Sequence, residues 1–360
     1  MKKGFTVFYS AFLLLLTVAG ATVAFYFAVK QGETQGVLTI VGVALSLAFA
    51  PIAHELGHVF FAKKNGMKVV YVKGFCFRLQ AVEGKKRLSL ASPFSPDETQ
   101  IVPRSSGNMK KRALHYALGG LIFSGAFCLV ILALALILSA CEVNAYLPWG
   151  MLPYSAYLFL LNAAPLVYPS GKTDALVAKN LRTGEDDARA FLSAMEIQGG
   201  LYEGKSFDEI DENLYFDFPQ LSEDEPLFAV TLDLRYRLYL ERNELEKASD
   251  CLNRMAGAQP YLSETEEEKL AAELVYMHAL HGDFEGAEAC GKSCMSFLKS
   301  ESVAAKRVLA AYTTAFGERE AAEILIAQAY AAAEKEENSG YAKAEKILIS
   351  RLKTRIKDEK

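Results

Sequence analysis

Cysteine is scarce and never closely paired. The 360 residues hold six, Cys76, Cys128, Cys141, Cys251, Cys290 and Cys294, and no C-x-x-C. That excludes the usual redox motif and speaks against a disulfide framework, so the usage fits a reduced, cytosolic tail. Cys290 and Cys294 stand one turn apart on an expected helix, which suits two small core residues better than a metal or redox pair. Strong net charge is also missing. The chain carries −4, which does not suggest nucleic acid as a partner of the whole protein. Histidine is limited to His54, His58, His115, His278 and His281. The most informative absence is local: residues 37–62 contain no Lys or Arg and a single acid, Glu55.

What is present divides the chain in two. Apolar residues make up 51% overall, but the first half holds long apolar runs while the second is charged and alanine-rich. The length allows two or three domains. A membrane helix needs about 20 apolar residues, and four stretches qualify: residues 5–29, 37–62, 113–140 and 147–168. The first also resembles a secretory signal, with Lys2 and Lys3 ahead of an apolar core and then Ala19, Gly20 and Ala21. Its apolar character continues through Phe25, Tyr26 and Phe27, which favours a retained anchor. Residues 63–112 are rich in Lys and Arg, with Glu83, Asp97 and Glu98 as their only acids. The connections 31–36 and 141–146 carry no Lys or Arg. The positive-inside rule then places residues 63–112 and both termini in the cytoplasm.

The second span ends on His54-Glu55-Leu56-Gly57-His58. Two histidines four apart lie on one helix face and can grip one metal ion. The glutamate between them can act as general base toward a water that the metal activates. Ionisable groups at membrane depth are costly, so their first reading is functional. A catalytic site of this kind needs a third protein ligand. The fourth span returns to the same side, and Asp174 is the first carboxylate after residues 143–173, which hold none. Asp174 has a second reading, as an exposed helix-start residue with Ser170 or Thr173 as cap. His115 opens the third span near the same face, where it is either a rival ligand or a capping and packing residue. His278 and His281 fall in the soluble tail.

The membrane-embedded H-E-x-x-H, the later Leu161-Asn162-Ala163-Ala164-Pro165 with its Asn-x-x-Pro, and Asp174 together resemble the site-2 protease family of intramembrane zinc metallopeptidases. The resemblance covers residues 37–180. It implies His54, His58 and Asp174 as ligands of one zinc ion per chain, and Glu55 as catalytic acid and base. It also implies Asn162 as a catalytic amide that holds the substrate carbonyl or its oxyanion. The implied substrate is a membrane-anchored protein or peptide, such as an anti-sigma factor or a signalling-peptide precursor, cleaved in a bacterial cell membrane. Two departures stand out. Asp174 is followed by Ala175 where the family has glycine, and Ser170-Gly171-Lys172 lengthens the interval from Asn162.

Between the second and third spans, Val69, Tyr71, Phe75, Phe77 and Leu79 alternate as on one strand face. Glu83-Gly84 marks a turn and residues 87–90 can return. The expectation is a small cytoplasmic β-hairpin. Its edge would pair with an extended substrate, whose peptide bonds a helix would hide, or it is a plain structural hairpin on the membrane surface. Nothing between the spans resembles a separate peptide-binding domain. Gly119, Gly120 and Gly125 read as ordinary close helix packing.

The acidic stretch 183–225 reads as a linker with short helices, solvated or resting on the basic loop. Residues 226–357 are helical and repetitive. Arg242-Asn243-Glu244-Leu245-Glu246-Lys247-Ala248 is followed by His281-Gly282-Asp283-Phe284-Glu285-Gly286-Ala287 and by Phe316-Gly317-Glu318-Arg319-Glu320-Ala321-Ala322. The alanines that close them lie 39 and 35 residues apart, near a tetratricopeptide period. The tail therefore resembles a tetratricopeptide array without its full consensus, and an irregular helical-hairpin domain stays open. Such arrays bind protein segments in a concave groove. The expected architecture is mainly α: a four-span polytopic membrane helical domain at 1–182 with a small cytoplasmic β-hairpin, the linker, and a C-terminal α-helical repeat-like soluble domain. The competing function is a catalytically inactive membrane scaffold that recruits partners through its tail, although a scaffold has no need of Glu55. A metal transporter would need more intramembrane acids and histidines than this chain offers.

Overall fold

The computed structural model describes residues 3–82, 85–93, 95, 97–168, 171–223, 226–257, 262 and 264–358. It divides into two compact units, residues 1–102 with 108–188, and residues 103–107 with 189–360.

The first unit is built on α1 (Lys3–Gln31), α2 (Glu33–Lys64), α3 (Met109–Ala140), α4 (Tyr146–Ala163) and α5 (Asp174–Thr183). Three of these, α1, α2 and α3, are long and apolar enough to cross a membrane. Gly32, at φ 142°, breaks the apolar run into α1 and α2. The outward faces carry Phe8, Leu15, Val37, Phe49, Leu129 and Ile137, all exposed. So much continuous apolar surface is unusual in water and ordinary in lipid. Helix α2 is the centre of the unit and packs against α1, α3 and α4. Its 32 residues rise about 48 Å at 1.5 Å each, more than the roughly 30 Å hydrocarbon core.

The expected fourth span is shorter than its apolar pattern. Helix α4 stops at Ala163, because Pro165 pushes Ala164 into the extended region (φ −89°, ψ 135°). With 18 residues and Pro148 and Pro153 among them, α4 is not one of the three helices long and apolar enough to cross. Residues 167–168, expected at the end of that span, instead form strand β5 (Val167–Tyr168), paired with β6 (Gly171–Lys172).

The expected hairpin is a four-stranded antiparallel-containing sheet, order β3-β2-β1-β4. Its strands are β1 (Met67–Gly74), β2 (Phe77–Val82), β3 (Lys85–Leu90) and β4 (Glu98–Pro103). The single strand expected through Val69 and Leu79 breaks at Phe75. That residue takes a left-handed φ of 55°, and the chain reverses so that Gly74 pairs with Phe77. Strands β2 and β3 pair from Phe77 with Leu90 to Val82 with Lys85. The expected turn at Glu83-Gly84 lies outside the described residues. Strand β4 was not anticipated at all. Lys73, only 1% exposed, fixes its approach by donating to Ser95 O (2.6 Å) and to Asp97 Oδ1 (2.9 Å).

The second unit is helical. The acidic stretch expected to be a linker folds into its core: α6 (Asp186–Tyr202), a 3-10 turn at Phe207–Glu209 and α7 (Asn213–Phe216). Ile197, Leu201, Phe207 and Tyr215 pack there with Leu234 and Leu238. Apolar residues spaced at helical period among the acids make burial on one face possible. Three helical hairpins follow: α8 (Pro226–Glu241) with α9 (Leu245–Gly257), α10 (Glu264–His281) with α11 (Phe284–Ser293), and α13 (Val303–Ala315) with α14 (Arg319–Ala333). The short α12 (Met295–Leu298) and the closing α15 (Ser339–Asp358) complete the chain.

The three hairpins share one cap. Asn243, Gly282 and Gly317 have φ of 62°, 72° and 80°. The next amide in each, of Glu244, Asp283 and Glu318, donates back to the carbonyls of Tyr239, His278 and Thr313. That is a Schellman stop, and it requires a residue that tolerates the left-handed region. The alanine a few residues later, Ala248, Ala287 or Ala322, is fully buried in every case. The hairpin stack also encloses charge. Arg307 is 0% exposed, with Nη2 donating to Glu273 Oε1 (2.7 Å) and Nε to Glu345 Oε2 (2.6 Å). Tyr236 donates to Glu273 Oε2 (2.7 Å). Burial alone would push the Glu273 carboxyl up, but Arg307 and Arg237 beside it hold it down at about 2.

Candidate metal centre

Helix α2 presents His54 and His58 on one face, four residues apart and both buried. Its close neighbour is α3. A Cβ on Gly57 would run into the Gly119 carbonyl, so glycine at both positions lets the two backbones touch. That approach brings the Tyr116 carbonyl to His58 Nδ1 at 2.9 Å. A carbonyl only accepts, so Nδ1 carries the proton and Nε2 is left as a bare lone pair.

Asp174 reaches the same place from the other end of the unit. After α4, Thr173 folds the chain back on itself. Its hydroxyl donates to Ala164 O (2.7 Å) and accepts from Leu166 N (3.0 Å), and its own amide donates to Leu166 O (3.1 Å). The additional Gly171 and Lys172 are taken up in the β5–β6 hairpin. The longer interval after Asn162 therefore costs no reach, and α5 begins at Asp174.

The three donor atoms form a regular triangle. His54 Nε2 to His58 Nε2, His54 Nε2 to Asp174 Oδ2 and His58 Nε2 to Asp174 Oδ2 are each 3.3 Å. A single proton would shorten one edge to about 2.7–3.2 Å. Equal edges of this length are those of a tetrahedron around an ion about 2.0 Å from each donor. Among the described residues, one of the three, Asp174 Oδ2, is buried without a hydrogen-bond partner, as is Nδ1 on the other side of the His54 ring. Space is also reserved: a Cβ on Gly120 would come within 2.6 Å of both Asp174 Oδ2 and His54 Cε1. His54, His58 and Asp174 thus fit a small cation with His₂–carboxylate donors and no fourth protein ligand among the described residues.

Glu55 lies beside this triangle, 5% exposed. Its Oε2 accepts from Thr99 Oγ1 at 2.6 Å, and Oε1 has no partner among the described residues. Thr99 belongs to β4. Its carbonyl accepts from the Tyr116 hydroxyl, and the Tyr116 ring centroid lies 4.9 Å from that of His58.

Asn162 is not drawn into this group. It is half-buried, and its Nδ2 donates to Leu158 O (3.2 Å), one turn back in its own helix. His115 is bound elsewhere. Asn65 Nδ2 donates to Phe61 O, which leaves Asn65 Oδ1 to accept from His115 Nδ1 at 3.1 Å, so His115 braces the end of α2. His278 pairs with Asp283 (2.7 Å) and His281 donates to Met277 O (2.8 Å). The Cys294 thiol, pushed up to about 11 by burial, is far from a thiolate ligand.

Sequence reasoning missed Thr99, Tyr116 and the spatial role of Gly120. Thr99 and Ile101 alternate in a short β-branched run, which is a signal for a strand but not for its place above Glu55. Comparison with protein-family models, with curated proteins and with solved structures returned no match.

Proposed function

We propose that this chain is an intramembrane metalloprotease of the site-2 protease type. It would hydrolyse peptide bonds of membrane-anchored proteins or peptides in a bacterial cell membrane, with one zinc ion per chain held by His54, His58 and Asp174. The observation that carries the reading is the 3.3 Å triangle of donors with Glu55 beside it, on an apolar helix where such groups are expensive without a task. Two histidines, a carboxylate and an open position suit catalytic zinc. In this reading α4 makes a short fourth crossing beside α1, α2 and α3, and the basic segment 63–112 keeps both termini cytoplasmic. The capped hairpins of the tail support a tetratricopeptide-like array whose groove takes a protein partner.

A bound zinc ion would polarise the scissile carbonyl and acidify the attacking water. The protein's own groups do the rest. Tyr116 holds the proton on His58 Nδ1 and so keeps Nε2 available. Glu55 has Oε1 free to take a proton from water and return it to the leaving amide nitrogen. Burial strengthens each of these interactions. Asn162 would have to release the Leu158 carbonyl before its amide could donate to an oxyanion.

The test is full-length wild type, Glu55→Gln and Asp174→Ala, each expressed with a panel of single-span membrane proteins, with metal content and cleavage measured. Metal in wild type and Glu55→Gln, cleavage only in wild type, and metal lost in Asp174→Ala are the expected results. Equal processing by wild type and Glu55→Gln refutes the protease. Metal retained with no cleavage of any candidate favours the scaffold.

A further inference from the structure

The general base assigned above is not held by its own helix alone. Among the described residues, its one hydrogen-bond partner is a side chain from a strand 44 positions away in sequence, Thr99 of β4. That strand is itself pinned on both sides. Upstream, Asp97 Oδ1 accepts from the buried Lys73 ammonium (2.9 Å) and from Phe75 N (2.8 Å). At Thr99 itself, the carbonyl accepts from the Tyr116 hydroxyl, on the same residue whose carbonyl orients His58.

We infer that Thr99 is a positioning residue for Glu55, holding Oε2 so that Oε1 faces the reacting water. The inference rests on the protease reading and adds a residue to it. The chemistry favours threonine here. A β-branched side chain on a strand has a stiff χ1, so the hydroxyl is delivered in one direction. With Oε2 occupied, the carboxylate cannot swing, and the proton is taken at the remaining oxygen. Tyr116 links the two halves of the site, since it sets the tautomer of a ligand with its carbonyl and the height of β4 with its hydroxyl. A carboxylate on a free side chain would sample several rotamers, and a misplacement of about 1 Å at a reacting group costs on the order of 100-fold in rate.

Thr99→Val keeps the shape and removes the donor, while Thr99→Ser keeps the donor. Both are compared with wild type for metal content, for kcat and KM on a substrate that wild type cleaves, and for amide exchange of residues 98–102. Exchange is also measured in Glu55→Ala and in the Thr99→Val/Glu55→Ala double variant, all as full-length protein in detergent. The expected result is unchanged metal content, a kcat lowered about 10- to 100-fold in Thr99→Val at similar KM, and a Thr99→Ser rate within about threefold of wild type by the same measure. Amide exchange should rise equally in Thr99→Val, Glu55→Ala and the double variant, because all remove one shared bond. Cleavage by Thr99→Val at the wild-type rate overturns the inference, as do exchange effects that add. If wild type cleaves nothing, the protease reading falls, and the exchange cycle alone decides whether Thr99 holds Glu55: shared effects uphold the coupling, additive ones end it.

Discussion

Gly120→Ala offers the sharpest probe of the metal centre, because it adds one methyl group and changes no donor. The new Cβ would lie closest of all to His58 Nε2, and 2.6 Å from Asp174 Oδ2 and from His54 Cε1, whereas ordinary van der Waals contact begins near 3.4 Å. Two donor atoms, His58 Nε2 and Asp174 Oδ2, and the ring that carries the third must therefore retreat by about 0.8 Å or more. Metal–ligand distances tolerate about 0.2 Å, so the ligands leave coordinating range. Disturbing an outer partner of a metal ligand already costs about 10- to 100-fold in affinity, and displacing ligands directly should cost about 100-fold or more. The assay is zinc content and competitive chelator titration of the full-length protein in detergent. Gly125→Ala is the control, five residues further along α3, where the nearest atom is the edge of the Phe159 ring at 3.0 Å. Gly125→Ala should bind metal like wild type. A Gly120→Ala protein that holds zinc with wild-type affinity would refute the assignment of this triangle as a metal centre.

Two further expectations concern the tail. Arg307→Met leaves the buried Glu273 and Glu345 to share one remaining cation, Arg237, 3.2 Å from Glu273 and 3.8 Å from Glu345, and should destabilise the second unit by up to about 3–5 kcal/mol; replacing Glu273 and Glu345 by leucine in the same protein should recover much of that loss. Urea unfolding followed by hydrogen exchange across residues 264–315 measures both, and an Arg307→Met midpoint equal to wild type would remove the network as a stabilising element. The second is pH dependence. Glu273 is held at about 2 in the folded chain against an ordinary 4.5, so its contribution is fully present above about pH 4.5 and is lost as the pH falls toward 2. Glu273→Gln should flatten this acid limb of the stability curve, and an unchanged limb would show that other carboxylates govern it.

The sequence alone determined the features that depend on composition and short spacing. Apolar runs without charge mark α1, α2 and α3 as membrane-compatible, because backbone groups in lipid must bond within a helix. The four-residue spacing of His54 and His58 fixes a shared helix face. Repeated Asn or Gly before a buried alanine marks the three hairpins, since only such residues accept the left-handed stop. Tertiary structure decided the rest. Asp174 meets the histidines only because Thr173 bonds back to Ala164 and Leu166, a closure of side chain onto backbone that no periodic pattern reports. Helix α4 ended early at Pro165, a local steric effect that outweighed a continuing apolar pattern. Phe75 split one expected strand in two, and the acidic stretch from 186 onward became core because its few apolar residues share a face. Thr99 and Gly120 matter through distances to atoms 44 to 66 residues away in the chain. Such contacts depend on how close a strand or a second helix approaches α2, and that is set by packing of the whole unit rather than by any stretch of sequence.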